Sequence, residues 1–405
     1  MRPHQKTRFQ LVAGDGLGNL EGLTSCVQVV TSSPAGLSCI RLGCFHQTFD
    51  LHEVLSDDMS GNPTLHPRAY EFSRSGLFRD IESFSELEER ISELPTENDR
   101  GAAFEVFAEA YLATQRRFQI KQIWSDRNIP RAAQKALKIP ANDMGIDGVF
   151  QSRKAGYGAF QVKFRGKREG LTWTDLKGFF GLADHAHTKI VFTNSSNLAE
   201  VTEKRRGFVA VRGSDLDRMK RSDFENISAW LEGDELVFKP LDPLPHQGPA
   251  IRDCLTALET TDRATCVMAC GTGKTLVGLW IAERLQSQAT LVLVPSLQLL
   301  RQSLYAWLEN TEWAEPHFCC VCSDDTVLTR NNSRDELKIS QTDLDFPVTT
   351  NSDDVRAFLA GHTDDRRNSS DCRRCPIAGR SLLIRRCTAA KWRSLLTGVV
   401  GRDWT

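Results

Sequence analysis

The sequence lacks any segment suited to export or to a membrane. Its first thirty residues are basic at the start but contain no apolar core of signal-peptide length, which argues against secretion. The longest apolar stretch, around Thr290 to Leu300, is interrupted by Pro295, Ser296 and Gln298, so it is too short and too polar to cross a bilayer. A soluble, cytoplasmic protein with no membrane partner is expected. No internal repeat or low-complexity block is present, which excludes solenoid and fibrous classes. The 12 cysteines have neither a secretory context nor a zinc spacing. Cys319-x-x-Cys322 and Cys372-x-x-Cys375 are separated by 49 residues, against about 15 to 20 in a zinc ribbon. Reduced thiols are therefore expected. His185 and His187 have no further His or Cys beside them and read as a solvated helix end rather than a metal site.

Net charge is also nearly absent, at -1 over 405 residues, but the balance is local. From Arg116 to Arg168 there are 13 Lys or Arg against three Asp, a stretch that can face a polyanion. With 40% hydrophobic and 25% charged residues, the chain is long enough for two or three domains with cores of their own.

Residues 1 to 69 show no sustained period and are broken by Ser-Ser-Pro, Ser-Gly-Asn-Pro and Leu-His-Pro, so no function is read from them. From Phe78 to Leu94, Phe84, Leu87, Ile91 and Leu94 recur at helical spacing, and Pro95 ends the run. A second helix is expected from Gly101 to Thr114, capped from Thr96, Asn98 or Asp99, with Phe104, Phe107 and Tyr111 on one face. Strands are expected at Gly145–Gln151, Ala159–Phe164, Lys189–Thr193 and Phe208–Arg212, with a helix over Thr174–Ala186 between them. Three prolines between Leu236 and Pro245 mark a linker. Beyond it the pattern predicts a helix (Gly248–Leu258), a strand running into a glycine turn (Thr265–Gly273), a helix (Lys274–Gln286), a strand (Thr290–Val294) and a helix (Leu297–Leu308). That order is the start of a parallel, doubly wound sheet.

Met268-Ala-Cys-Gly-Thr-Gly-Lys-Thr275 is the sharpest signal. Gly271 and Gly273 let the backbone curl around phosphate oxygens together with Thr272, Lys274 reaches the terminal phosphates, and the Thr275 hydroxyl can ligate Mg2+. Met268 stands where the usual pattern has Gly. The octet resembles motif I of superfamily 2 helicases of the restriction and DEAD/DEAH-box type. Pro245-His246-Gln247 resembles that family's Gln element, which implies that Gln247 reads adenine, and Leu293-Val-Pro-Ser296 resembles motif Ia. The family's Asp-Glu pair, which orders Mg2+ and the attacking water, has no credible counterpart. Arg334-Asp335-Glu336-Leu337 has no apolar strand before it. Weak ATP binding without DNA-stimulated turnover is therefore expected.

Gly145-Ile-Asp147-Gly-Val149 followed by Phe160-Gln161-Val-Lys163 is the second signal. A carboxylate on one strand and a Q-x-K on the next can converge, because Gln161 and Lys163 share one face of their strand. The arrangement resembles the PD-(D/E)xK nuclease core, specifically the Mrr-like restriction endonucleases. The resemblance implies that Asp147 and Gln161 bind Mg2+, that Lys163 orients water and stabilises developing charge, and that Glu105 helps hold the metal. Gln161 replaces the family's second acid, so metal affinity rests more on Asp147 and Glu105. The basic flank, with Lys154, Arg165 and Lys167, is expected to contact DNA.

Together these readings predict an α/β chain: an unassigned leader (1–69), a PD-(D/E)xK nuclease domain (70–236), an incomplete RecA-like (P-loop) parallel-sheet lobe (237–366) and an irregular basic tail (367–405). The resemblance implies a Mg2+-dependent DNA endonuclease joined to an ATP-binding translocase, with DNA as partner and with modification or other restriction subunits as associates. The competing class is a catalytically inactive fragment that binds DNA and nucleotide.

Overall fold

The computed structural model describes residues 28–31, 65–140, 145–153, 156–199, 208–261, 263–286, 289–294, 296–313, 316–322, 344–349, 351–360 and 380–385. In chain order the first group of elements is β1 (Gln28–Thr31), α1 (Ala69–Arg74), α2 (Phe84–Ser92), α3 (Glu97–Thr114), β2 (Ile120–Ser125), α4 (Arg131–Leu137), β3 (Gly148–Ser152), β4 (Tyr157–Lys163), α5 (Trp173–Leu182), β5 (Lys189–Thr193), β6 (Phe208–Val211), α6 (Gly213–Leu216) and α7 (Arg221–Glu232). The second group is α8 (Gln247–Thr260), α9 (Lys274–Arg284), β7 (Ala289–Val294), α10 (Leu297–Asn310), β8 (His317–Val321), β9 (Val348–Thr349), α11 (Ser352–Ala360) and β10 (Arg380–Arg385).

Two five-stranded sheets organise these elements. The first has the order β2-β3-β4-β5-β6, antiparallel across β2, β3 and β4 and parallel from β4 to β6. One of its faces packs on α3. Thr96 and Asp99 cap that helix reciprocally, which moves its start to Glu97, ahead of the Gly101 expected from periodicity. Phe104, Phe107 and Tyr111 are fully buried there against Phe160 and Phe192, with Tyr111 and Phe192 ring centroids 5.2 Å apart. The opposite face packs on α4 and α5 through Val149, Ala159, Leu176 and Phe179. Gly148 passes beneath the Phe160 ring, where an added Cβ would lie 2.1 Å from Cζ, so the residue after Asp147 has room for no side chain.

The second sheet has the order β1-β7-β10-β8-β9. Only the β1–β7 pairing is antiparallel; β7, β10, β8 and β9 run parallel. Parallel-dominated pairing with helices on its faces is the α/β arrangement anticipated for the second half.

Several expectations shift. The helix expected from Phe78 begins at Phe84, because Asp80 takes a left-handed φ of 53° and Ser83 then caps the helix. The strand expected before Gly271 is not formed: residues 263–269 are irregular, and Val267 is 54% exposed. Both edges of β7 are already paired, by β1 and β10, so no place beside it remains. The leader and tail contribute those two edge partners. Residues 380–385, expected in an irregular tail, form a strand between β7 and β8, and residues 28–31 pair along β7. The run Ser-Leu-Leu-Ile at 381–384 is apolar enough to fill a central parallel strand, a local signal that the surrounding arginines obscured.

Candidate functional site

Asp147 lies immediately before β3, its backbone held on two sides. Its N–H donates to the Phe160 carbonyl at 3.1 Å, and its carbonyl accepts from Asp126 N–H at 3.0 Å. The β3–β4 register ends at the Gly148–Phe160 pair, and Asp147 lies just outside it, beside the Phe160–Val162 stretch of β4. The Asp147 carboxylate turns into the ladder and accepts the Val162 backbone N–H at 2.6 Å. Burial, reinforced by the Glu105 charge and opposed by Lys163 and the Val162 hydrogen bond, pushes its pKa up from 3.8 to about 6. Glu105 and Lys163, residues 58 apart in sequence, thus act on the same carboxylate.

Gln161 is buried at 4% exposure, and its Oε1 has no hydrogen-bond partner. A buried carbonyl oxygen left without a donor is costly and is the kind of atom a cation can satisfy. The Lys163 carbonyl accepts from the Thr193 hydroxyl at 2.8 Å, which fixes the end of β4 against β5. Glu105 is half-buried and meets His66 Nε2 at 3.2 Å. One helical turn later, Glu109 is buried and accepts the His66 backbone N–H at 2.9 Å. Burial raises the Glu109 pKa well above the ordinary range, and the charges of Glu105, Asp126 and Asp147 add to the shift.

The structure therefore brings Glu105, Asp147, Gln161 and Lys163 to one end of the first sheet. It adds Glu109, one helical turn from Glu105 on α3, and His66 and Asp126, whose proximity arises only from tertiary packing. Among the described residues no group of three or more His, Cys, Asp or Glu is close enough to hold a metal by itself. A cation here would rest on the two acids Glu105 and Asp147 with the unpartnered amide oxygen of Gln161. That donor set of carboxylate and amide oxygens suits a hard ion such as Mg2+.

The basic flank divides. Lys154 lies outside the described residues. Arg165, expected to face DNA, is ion-paired with Asp175 at 2.5 Å, and Arg168 bridges Glu88 and Asp217 at 2.7 Å each. Lys167 is exposed, on a turn with φ of 54°.

The glycine loop lies at the N-terminus of α9. Gly271 and Gly273 take φ of 77° and 76°, and Gly273 forms the helix N-cap, so the first N–H groups of α9 lack intrahelical partners. Lys274 Nζ donates to the carbonyls of Ala269 at 2.9 Å and Met268 at 3.2 Å. Gln247, expected to read adenine, is buried, and both ends of its amide are bonded: Nε2 donates to the Thr272 carbonyl at 2.9 Å and Oε1 accepts from Leu244 N–H at 2.8 Å. Here it braces the loop. The Thr275 carbonyl accepts from Trp307 Nε1 at 2.9 Å, joining the loop helix to α10. In sequence, the strand β10 between β7 and β8 is followed by Arg386-Cys387, with no Asp-Glu pair.

The two sheets meet through polar groups. Gln119 Nε2 donates to the Phe318 carbonyl at 3.1 Å, and its Oε1 accepts the Phe318 N–H at 3.4 Å. Arg117, whose hydroxyl partner is Tyr111, pairs with the buried Asp345 at 3.2 Å, and Asp345 also accepts from the Tyr305 hydroxyl.

Comparison with known proteins places these features. A family model described as "Type III restriction enzyme, res subunit" matches residues 240–352. That stretch holds Gln247 and the glycine loop. The chain is also similar in fold to a solved structure described as "ATP-dependent Type ISP restriction-modification enzyme LlaBIII bound to DNA", with a TM-score of 0.55 and 19% identity. The likeness covers 75% of this chain and 18% of that one. Because 75% of the chain exceeds everything after residue 236, the shared fold takes in part of the first half as well. The curated proteins contain no match. Among the described residues no helix is long and apolar enough to cross a membrane.

Proposed function

We propose that the chain is a Mg2+-dependent DNA endonuclease of the Mrr-like PD-(D/E)xK kind, joined to the ATP-binding lobe of a restriction-type helicase. The observation that carries this reading is the Asp147 carboxylate. It is fixed by Val162 N–H, lies beside the end of β4 that carries the buried, unpartnered Gln161 oxygen and is within the fields of both Glu105 and Lys163. The fold likeness to a DNA-bound restriction-modification enzyme and the restriction-subunit match at 240–352 support the setting.

Asp147, Glu105 and Gln161 would hold the cation, which when bound supplies Lewis acidity toward a phosphate oxygen and lowers the pKa of its water. The chain's own groups do the rest. Val162 N–H keeps one Asp147 oxygen turned into the strand pair and orients the other outward. Lys163 places a positive charge where the phosphorane develops negative charge, a preorganised interaction that strengthens in the transition state. DNA would lie across the basic flank, where Lys167 is exposed. On the second sheet, the glycine loop and the N-terminus of α9 would take the phosphates of ATP, with Lys274 released from its two carbonyls to reach them and Thr275 supplying a hydroxyl to Mg2+.

Plasmid cleavage in Mg2+ or Mn2+ tests the assignment. Asp147→Ala and Lys163→Ala should each abolish cleavage and leave DNA binding intact. Cleavage by both variants at the parent rate would exclude this site.

A further inference from the structure

His66 belongs to no motif, and 39 positions separate it from Glu105, yet it touches both acids on the inner side of α3. Its backbone N–H donates to Glu109 at 2.9 Å, and its ring Nε2 lies 3.2 Å from Glu105 Oε2. Its Nδ1 accepts the Arg68 backbone N–H at 3.2 Å. An Nδ1 that accepts carries no proton, so the neutral ring holds its hydrogen on Nε2 and donates it to Glu105. The tautomer is thus set by the chain itself.

The segment that carries His66 is tied down on both flanks. The Leu65 carbonyl accepts from Asn128 Nδ2 at 3.0 Å, and the Arg68 guanidinium pairs with Asp99 on α3 at 2.7 Å while lying over the Phe72 ring at 4.5 Å. The His66 side chain is only 11% exposed. A ring held this firmly fixes the Glu105 carboxylate plane, occupying one oxygen and leaving the other for a ligand.

We propose that His66 is a positioning residue for the metal-binding Glu105, with Glu109 as the buried anchor that places it. The inference rests on the nuclease reading and deepens it. Partners behind a ligating carboxylate typically contribute about 10- to 100-fold in metal affinity, and His66 and Glu109 occupy that place here.

The test is Mn2+ titration calorimetry on the full chain, counting the binding that Asp147→Ala removes. His66→Asn places its amide at the Nδ1 position, short of Glu105, and should weaken that binding about 10- to 100-fold. His66→Gln places an amide donor where Nε2 stands and should recover most of it. Glu109→Leu should weaken it like His66→Asn, whereas Glu109→Gln keeps an acceptor for the backbone N–H. Circular dichroism on each variant checks the fold, and saturating Mn2+ should restore plasmid cleavage in His66→Asn. Parent-like Mn2+ affinity in His66→Asn would overturn the positioning role and leave the nuclease reading standing. A parent with no Asp147-dependent Mn2+ binding would overturn both.

Discussion

Arg301 on α10 donates to the buried carboxylate of Asp215 on α6 at 2.7 Å, tying the helix after β7 to the turn after β6. Arg218 also reaches Asp215 at 3.0 Å, and the Arg212 N–H caps it at 3.0 Å. Burial and the neighbouring Asp345 raise the Asp215 pKa, while Arg301 holds it down. Arg301→Met should therefore remove the more buried of the two guanidinium partners of Asp215 and leave it with the exposed Arg218, at a cost of roughly 1 to 3 kcal/mol. The measurement is urea unfolding. The Arg301→Met/Asp215→Asn double variant should regain part of that loss, because the under-compensated buried charge is gone.

Asp147 titrates against the stability of the free protein. Its folded pKa of about 6 lies above the ordinary 3.8, so the folded state binds this proton more tightly than the unfolded state. Raising the pH from 4 through 6 then removes stability through this group. Asp147→Asn keeps an acceptor for Val162 N–H but cannot ionise. It should match the parent near pH 4 and exceed it above pH 7 by on the order of 2 to 3 kcal/mol. Denaturant midpoints at the two pH values measure this, and an equal gap at both would contradict it.

The two loop glycines should differ. Both take left-handed φ, but an added Cβ at Gly271 meets nothing within 4 Å, whereas at Gly273 it would lie 2.4 Å from Gln247 Nε2. Gly271→Ala should cost only backbone strain, about 1 to 2 kcal/mol. Gly273→Ala should also dislodge the Gln247 brace, with a larger fall in unfolding midpoint and in the affinity for a fluorescent ATP analogue. Lys274→Ala should lower that affinity without a comparable loss of stability.

DNA binding should depend on salt through the cations of the basic flank. Lys154→Ala/Lys167→Ala should reduce the slope of log affinity against log salt by about two if each contacts a phosphate. Arg165→Ala should change it less, because Asp175 already pairs with that guanidinium. Fluorescence anisotropy across a salt series reads both, and an unchanged slope in the double variant would show that these lysines face solvent only.

Local pattern was enough for the elements whose signal is short-range. The strand at Lys189–Thr193 and the helix beginning at Lys274 were legible from periodicity and motif spacing, and Thr96 was among the caps expected for α3. What tertiary structure alone decided is the company these residues keep. His66 reaches Glu105 and Glu109, one helical turn apart on α3, because α3 packs across the first sheet with its inner face toward the 65–68 segment, a contact across many residues that no periodicity encodes. Arg165 looked free in sequence and is paired because α5 brings Asp175 alongside it. The residues before the glycine loop stay out of the second sheet because β1 and β10, from the two ends of the chain, occupy both edges of β7. A strand's place depends on which edges remain unpaired, and that is a property of the whole sheet rather than of any one segment.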